Sequence, residues 1–112
     1  MALPDAVQNE KGRVVTLTAY KRGTSTIQDI TSATMTGIIE TTPGPTYTVR
    51  NISGTLAVLV GSNGTFTWTW NLTDTGTAGK FTVQFIATIG SSIIYRSFPE
   101  SWEVARSPAT PV

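Results

Sequence analysis

The 112-residue chain contains neither cysteine nor histidine. Without cysteine it forms no disulfide and has no thiolate nucleophile, and without histidine it lacks the commonest general base and transition-metal ligand. It has no Gly-x-Ser-x-Gly motif, and its Asp and Glu residues show no spacing typical of a glycosidase pair. The sequence therefore predicts a protein that is not an enzyme, with no catalytic or metal-binding residues and no cofactor.

Charge is also scarce, since only 13% of the residues are charged and the formal net charge is +1. A nucleic-acid-binding protein is expected to gather its cations on one face, whereas the eight Lys and Arg residues are scattered along this chain. The sequence shows no pattern typical of a secretory signal and no run of about 18 apolar residues to cross a membrane. We therefore expect neither nucleic acid nor a membrane as a partner.

Threonine, by contrast, is abundant, with 21 copies in the chain. Its β-branched side chain suits the solvated face of a strand. Apolar and polar residues alternate from residue 13 to residue 105, and turn sequences such as "GSNG" at 61–64 interrupt the pattern. No window keeps the spacing of a helix. The pattern predicts an all-β fold, an antiparallel sandwich or barrel of about seven to nine short strands with little or no helix.

The stretch "TFTWTWNLTDTGTAGKFTVQF" at 65–85 admits two interpretations. Phe66, Trp68 and Trp70 lie two residues apart, so they share one face of a strand. That face is either half of a core, with Phe81, Val83 and Phe85 opposite, or an exposed platform. A platform would stack on sugar rings or bases, and Trp102 is a further candidate for stacking on glycans. Charged and polar groups that would orient such a ligand are sparse nearby, which favours the core.

The same region resembles an Ig-like domain of tailed-phage virions. Such domains lie at the N-terminus of baseplate upper proteins and also occur as small separate virion proteins. The likeness spans about residues 13–105, and the matching residues are Gly64, Phe66, Trp68, Trp70, Asp74, Thr75, Gly79, Phe81, Phe85, Phe98, Pro99 and Val104. One departure is Phe81, where tyrosine is frequent, because phenylalanine has no hydroxyl to hold a loop in a tyrosine corner.

The resemblance implies an Ig-like β-sandwich over residues 13–105, with Asp74 and Gly79 in its characteristic turn. It also implies a structural protein of the virion that binds capsid or tail proteins, as a homo-oligomer or a multi-copy array. Because baseplate upper proteins carry further domains and this chain ends at Val112, the resemblance favours a small accessory or decoration subunit on the capsid surface. The alternatives are a tail or baseplate adaptor and a carbohydrate-binding module that recognises host glycans.

Two terminal segments, residues 1–12 and 106–112, lie outside the alternating pattern. They are more apolar than solubilising tails need to be, since they carry Leu3, Pro4, Val7, Pro108 and Pro111. Extended arms of this kind can lie across a neighbouring subunit. We therefore expect the N-terminal arm to be mobile in the isolated domain and ordered against a partner in the assembled particle.

Overall fold

The computed structural model describes residues 3–21, 24–41, 48–97 and 99–106. The predicted all-β fold is confirmed, because the described residues form nine strands and very little helix. The strands are β1 (Ala6–Val7), β2 (Val14–Thr18), β3 (Thr34–Thr41), β4 (Val49–Asn51), β5 (Thr55–Val60), β6 (Thr65–Thr69), β7 (Gly79–Ile89), β8 (Ser92–Arg96) and β9 (Glu100–Ala105). The helical segments are a 3₁₀ turn, Gly61–Asn63, and a single α-helical turn, α1 (Leu72–Thr75).

The strands form two sheets packed as a sandwich. The larger sheet has the order β1-β9-β7-β3-β4, with β8 paired to the second half of β7, and the smaller sheet has the order β2-β6-β5. This sheet order, with β2, β6 and β5 in one layer and β9, β7 and β3 in the other, is that of a β-sandwich. One pair departs from the predicted antiparallel sandwich, because β1 runs parallel to β9 and makes the larger sheet mixed.

The core lies between the inner faces of β6 and β7, and aromatic rings dominate it. All of the residues predicted for the core are buried, namely Phe66, Trp68, Trp70, Phe81, Val83 and Phe85. The Trp68 ring is central, with its centroid 4.9 Å from that of Trp102 and 5.8 Å from that of Phe85. These rings meet edge-on or tilted, the geometry that aromatic quadrupoles favour. The alternation of β6 therefore places its aromatic residues inside and its threonines outside.

Residues 3–9, predicted to belong to an N-terminal arm, instead form part of the sandwich, and the contact of this segment with a partner in the particle stays a prediction. Leu3 is only 6% exposed and Ala6 only 1%, and both belong to the core cluster. The Gln8 N–H donates to the carbonyl of Ala105 at 2.8 Å, continuing the β1–β9 pairing. With only two residues, β1 is too short to show alternation in the sequence. Of the other predicted interface residues, Pro4 is half-buried, Val7 is exposed, and Pro108 and Pro111 lie outside the described residues.

Candidate binding surface

Asp74 lies at one end of the sandwich, which we call the base end, and its carboxylate joins three segments of the chain. It is fully buried. Its Oδ1 accepts the N–H of Ser53 at 2.8 Å, and its Oδ2 accepts the N–H of Gly54 at 2.8 Å and the indole N–H of Trp68 at 3.1 Å. Its own N–H donates to Oδ1 of Asn71, which caps α1. Both carboxylate oxygens are therefore used to hold the β6–β7 connection against the β4–β5 corner.

Arg50 of β4 holds the same connection from its other side. Its Nη1 donates to the carbonyl of Thr73 and its Nη2 to the carbonyl of Asp74, both at 2.9 Å. The guanidinium also lies over the ring of Phe81, 5.6 Å from its centroid. Burial lowers the pKa of Arg50, and the charge of Asp74 acts in the opposite direction. Arg50 therefore joins β4 to the β6–β7 connection beside Phe81, whose ring has no hydroxyl to donate.

Two positions at this end of the sandwich require glycine. Gly79, predicted from the motif, has a φ of +150°, a conformation that residues with a Cβ rarely adopt. Gly54 was not singled out in the sequence, yet a Cβ there would lie 2.5 Å from Oδ2 of Asp74 and would also meet the carbonyl oxygen of Thr69. We call the group formed by Arg50, Ser53, Gly54 and Asp74 the base-end lock.

The tryptophans do not form a sugar-binding platform, so that interpretation of Trp68, Trp70 and Trp102 is wrong. Their exposed fractions are 0%, 1% and 2%, respectively. An aromatic ring that stacks on a ligand has to present a face to solvent. All three indoles are instead core residues, because the alternation of β9 and that of β6, which continues to Trp70 just after the strand ends, turn them between the sheets.

The opposite end of the sandwich, which we call the loop end, consists of residues 19–21, 24–33, 59–64 and 89–96. Strand register brings these segments together, since Thr18 pairs with Thr65 and Thr34 pairs with Thr88. The first two segments are also joined by backbone hydrogen bonds. These are Ala19 N–H to Gly64 O at 2.7 Å, and Ile30 N–H to Gly61 O at 3.0 Å.

The loop end carries most of the large apolar side chains that the described residues expose. Six of the ten lie there, namely Tyr20, Ile27, Leu59, Val60, Ile89 and Ile93. The other four are dispersed around the base end, on β1, β2, β4 and α1: Val7, Val14, Val49 and Leu72. Exposed apolar side chains gathered on a rigid scaffold are typical of a surface that binds another macromolecule.

A groove of about 380 Å³ runs across the loop end between residues 93–96 and the side chains of Lys21 and Gln28. Burial, and then the charge of Glu100, raises the pKa of Tyr95 in this groove. The groove is thus lined by aliphatic groups, a phenol and the cationic side chains Lys21 and Arg96. Such a lining offers apolar contact with a few positions for hydrogen bonds.

Asp29 stabilises the loop beside this groove. Its Oδ1 accepts both the N–H of Thr31, at 2.8 Å, and the Thr31 hydroxyl, at 2.6 Å. These two bonds lower the pKa of Asp29. The arrangement is an Asx turn, which fixes the backbone of the β2–β3 loop without a partner from another strand. The loop end is therefore held both by its own turns and by the neighbouring 3₁₀ turn.

No protein-family model matches this chain, and no curated protein matches its sequence significantly. Within the described residues, no helix is long and apolar enough to cross a membrane. The same residues contain no group of three or more Asp and Glu side chains placed to hold a metal ion. The strongest candidate for a functional surface is the loop end. No sequence motif marked it, because its apolar residues come from three separate segments.

Proposed function

We propose that this protein is a non-enzymatic structural subunit of a phage virion that binds the capsid surface through its loop end. The observation that carries the proposal is the concentration of exposed apolar side chains, Ile27 and Ile93 among them, on loops held by hydrogen bonds. A binding surface of this kind needs no ordering on contact, so little conformational entropy opposes attachment. The phage assignment is supported by the resemblance of residues 13–105 to Ig-like virion domains.

The base-end lock supports a structural role over a catalytic one. A catalytic carboxylate needs at least one oxygen within reach of a substrate. Both oxygens of the buried Asp74 instead accept hydrogen bonds from Ser53, Gly54 and Trp68. The polar groups at the base end therefore hold the fold, and the loop end is left to make contact.

The proposal is tested in particles assembled with variants of this protein. Ile93→Asp places a charge in the apolar loop end and should strongly reduce the number of copies per particle, measured by quantitative mass spectrometry of purified virions. Val49→Asp is the matched control, since Val49 is 51% exposed and Ile93 is 54% exposed, but Val49 lies at the base end. Full occupancy by Ile93→Asp, or equal loss with both variants, would contradict attachment through the loop end.

An electron-microscopy map of the same particles locates the subunit. Density on the capsid supports the decoration role, and density on the tail or baseplate would replace it with the adaptor role. Absence of the protein from purified particles would refute the virion assignment altogether.

A further inference from the structure

The smaller sheet ends in two unusually open edge strands. β2 and β5 have five and six residues, and neither contains a charged residue or proline. The larger sheet ends in β1 and β4, of only two and three residues, and β4 carries Arg50. Proteins usually protect sheet edges with short strands, charges or proline, because an edge presents unpaired N–H and C=O groups. The larger sheet has such protection and the smaller sheet does not.

The β5 edge is the more exposed of the two. Among the described residues no strand lies beyond it. Its inward-facing side chains, Leu56 and Val58, are only half-buried, and Leu59 and Val60 are exposed. A strand laid along β5 would cover these side chains and pair with the outward backbone groups, which no described strand contacts. The β5 edge is therefore suited to pairing with a further β-strand.

We propose that two copies of this chain associate through β5, antiparallel across a two-fold axis, so that their smaller sheets join into one six-stranded sheet. The outer face of this sheet carries no charge that would repel a second copy. Its residues form three rows across β2, β6 and β5, and we call each row a rung: Val14–Thr69–Thr55, Thr16–Thr67–Ala57 and Thr18–Thr65–Val60. An edge that recognises a different, charged partner is expected to show complementary charges. An edge without charge can instead pair with the same edge of a second copy without repulsion.

Strand directions favour the two-fold arrangement over a chain of subunits. β2 and β5 both run antiparallel to β6, so they run parallel to each other. Joining β2 of one copy to β5 of the next would therefore create a parallel pair, which is slightly less stable per residue than an antiparallel pair. A two-fold axis instead places β5 antiparallel to itself and closes the assembly as a dimer.

The alternation of side chains also selects the register. Directly opposite residues in antiparallel strands point to the same face of the sheet. The two-fold axis therefore has to lie level with one residue of β5, which then faces its own copy; an axis midway between two residues would pair side chains from opposite faces. Ala57 lies next to the middle of β5 and also within its regular part, before the irregularity at Leu59. With the axis at Ala57, Leu56 lies opposite Val58 of the second copy, and both apolar side chains are covered.

The isolated chain tests this inference, which does not depend on the proposed function. We expect sedimentation equilibrium to show a concentration-dependent dimer. Ala57→Lys places two lysines opposite each other at the axis and should weaken the dimer at least about tenfold. Thr16→Lys is the control, because Thr16 occupies the same rung at the opposite edge and is also exposed. A wild-type chain that stays monomeric, or a dimer equally weakened by both variants, would overturn the inference.

Crosslinking supplies a second readout that does not need the lysine variant to fold. Because the chain has no cysteine, Ala57→Cys introduces a single thiol. Residues directly opposite each other in paired strands lie close enough for a disulfide. Mild oxidation should therefore give a covalent dimer from Ala57→Cys and none from Thr16→Cys. Equal crosslinking of the two variants, or crosslinking of Thr16→Cys alone, would place the contact elsewhere.

Discussion

At the base end polar groups turn inward. The Asp74 carboxylate accepts hydrogen bonds from backbone N–H groups, and the Arg50 guanidinium donates to backbone carbonyls, each about twenty positions away in the chain. At the loop end apolar groups turn outward, and side chains such as Ile27 and Ile93 are half-exposed. A buried polar group is costly unless it is bonded, and an exposed apolar group gains free energy only when something covers it. The base end thus satisfies its groups internally, whereas the loop end leaves its apolar side chains exposed.

This difference separates stability from attachment along the length of one small domain. Substitutions near the base-end lock should lower the free energy of unfolding, and substitutions at the loop end should change binding alone. Four substitutions should show that separation, with effects on the free energy of unfolding that decrease from the core to the loop end.

Trp68→Ala should have the largest effect, a loss of about 3–5 kcal/mol out of the typical total of about 5–15 kcal/mol. It removes the central ring of the core and also the indole N–H donor to Asp74. Urea denaturation measures the change. Thr67→Ala, on the outer face of the same strand, is the control and should cost less than about 1 kcal/mol. Similar midpoints for the two variants would refute the assignment of inner and outer faces.

Asp74→Ala should cost about 3 kcal/mol, because it leaves the N–H groups of Ser53, Gly54 and Trp68 without their acceptor. Asp29→Ala is the matched control. Asp29 also accepts bonds from a backbone N–H and a side chain, but it is exposed, and water can replace the lost acceptor. Thermal unfolding of both variants tests the comparison, and an equal loss from the two would show that the base-end lock contributes no special stability.

Gly79→Val should cost about 1–3 kcal/mol, because valine strongly disfavours the backbone conformation at this position. Crowding contributes little, since the nearest atom to an added Cβ is in the Phe81 ring at 3.6 Å. Thr77→Val, an exposed position in the same connection, is the control. If the melting temperatures of the two variants agree, the Gly79 conformation does not constrain the fold.

Ile93→Asp should change the free energy of unfolding by less than about 0.5 kcal/mol, since the side chain it replaces is largely exposed. The same substitution is expected to reduce attachment to the particle, so stability and binding should separate most clearly here. Differential scanning calorimetry of the isolated domain checks the first half of this prediction. A large loss of stability would show that the loop end, too, holds the fold.

Most of the sandwich could be predicted from the sequence, but the contacts between distant segments, at the loop end, the base-end lock and β1, could not. The alternation in β6 and β7 predicts which side chains face inward, and the turn sequences predict where the strands end. In contrast, the hydrogen bonds of Asp74 join it to residues about twenty positions away, which no local pattern relates. Burial of Leu3 depends in the same way on β1 meeting β9.

The sequence by itself determined the strand content, the aromatic core and the absence of thiol and imidazole chemistry. These follow from residue types and from a two-residue period, which act within one strand. Only the tertiary structure decided that Tyr20, Leu59 and Ile93 share one end, that Arg50 bonds to the β6–β7 connection, and that β5 forms an open edge among the described residues. Each of these depends on sheet order and register, because the segments involved lie far apart in the chain and meet only when the two sheets pack.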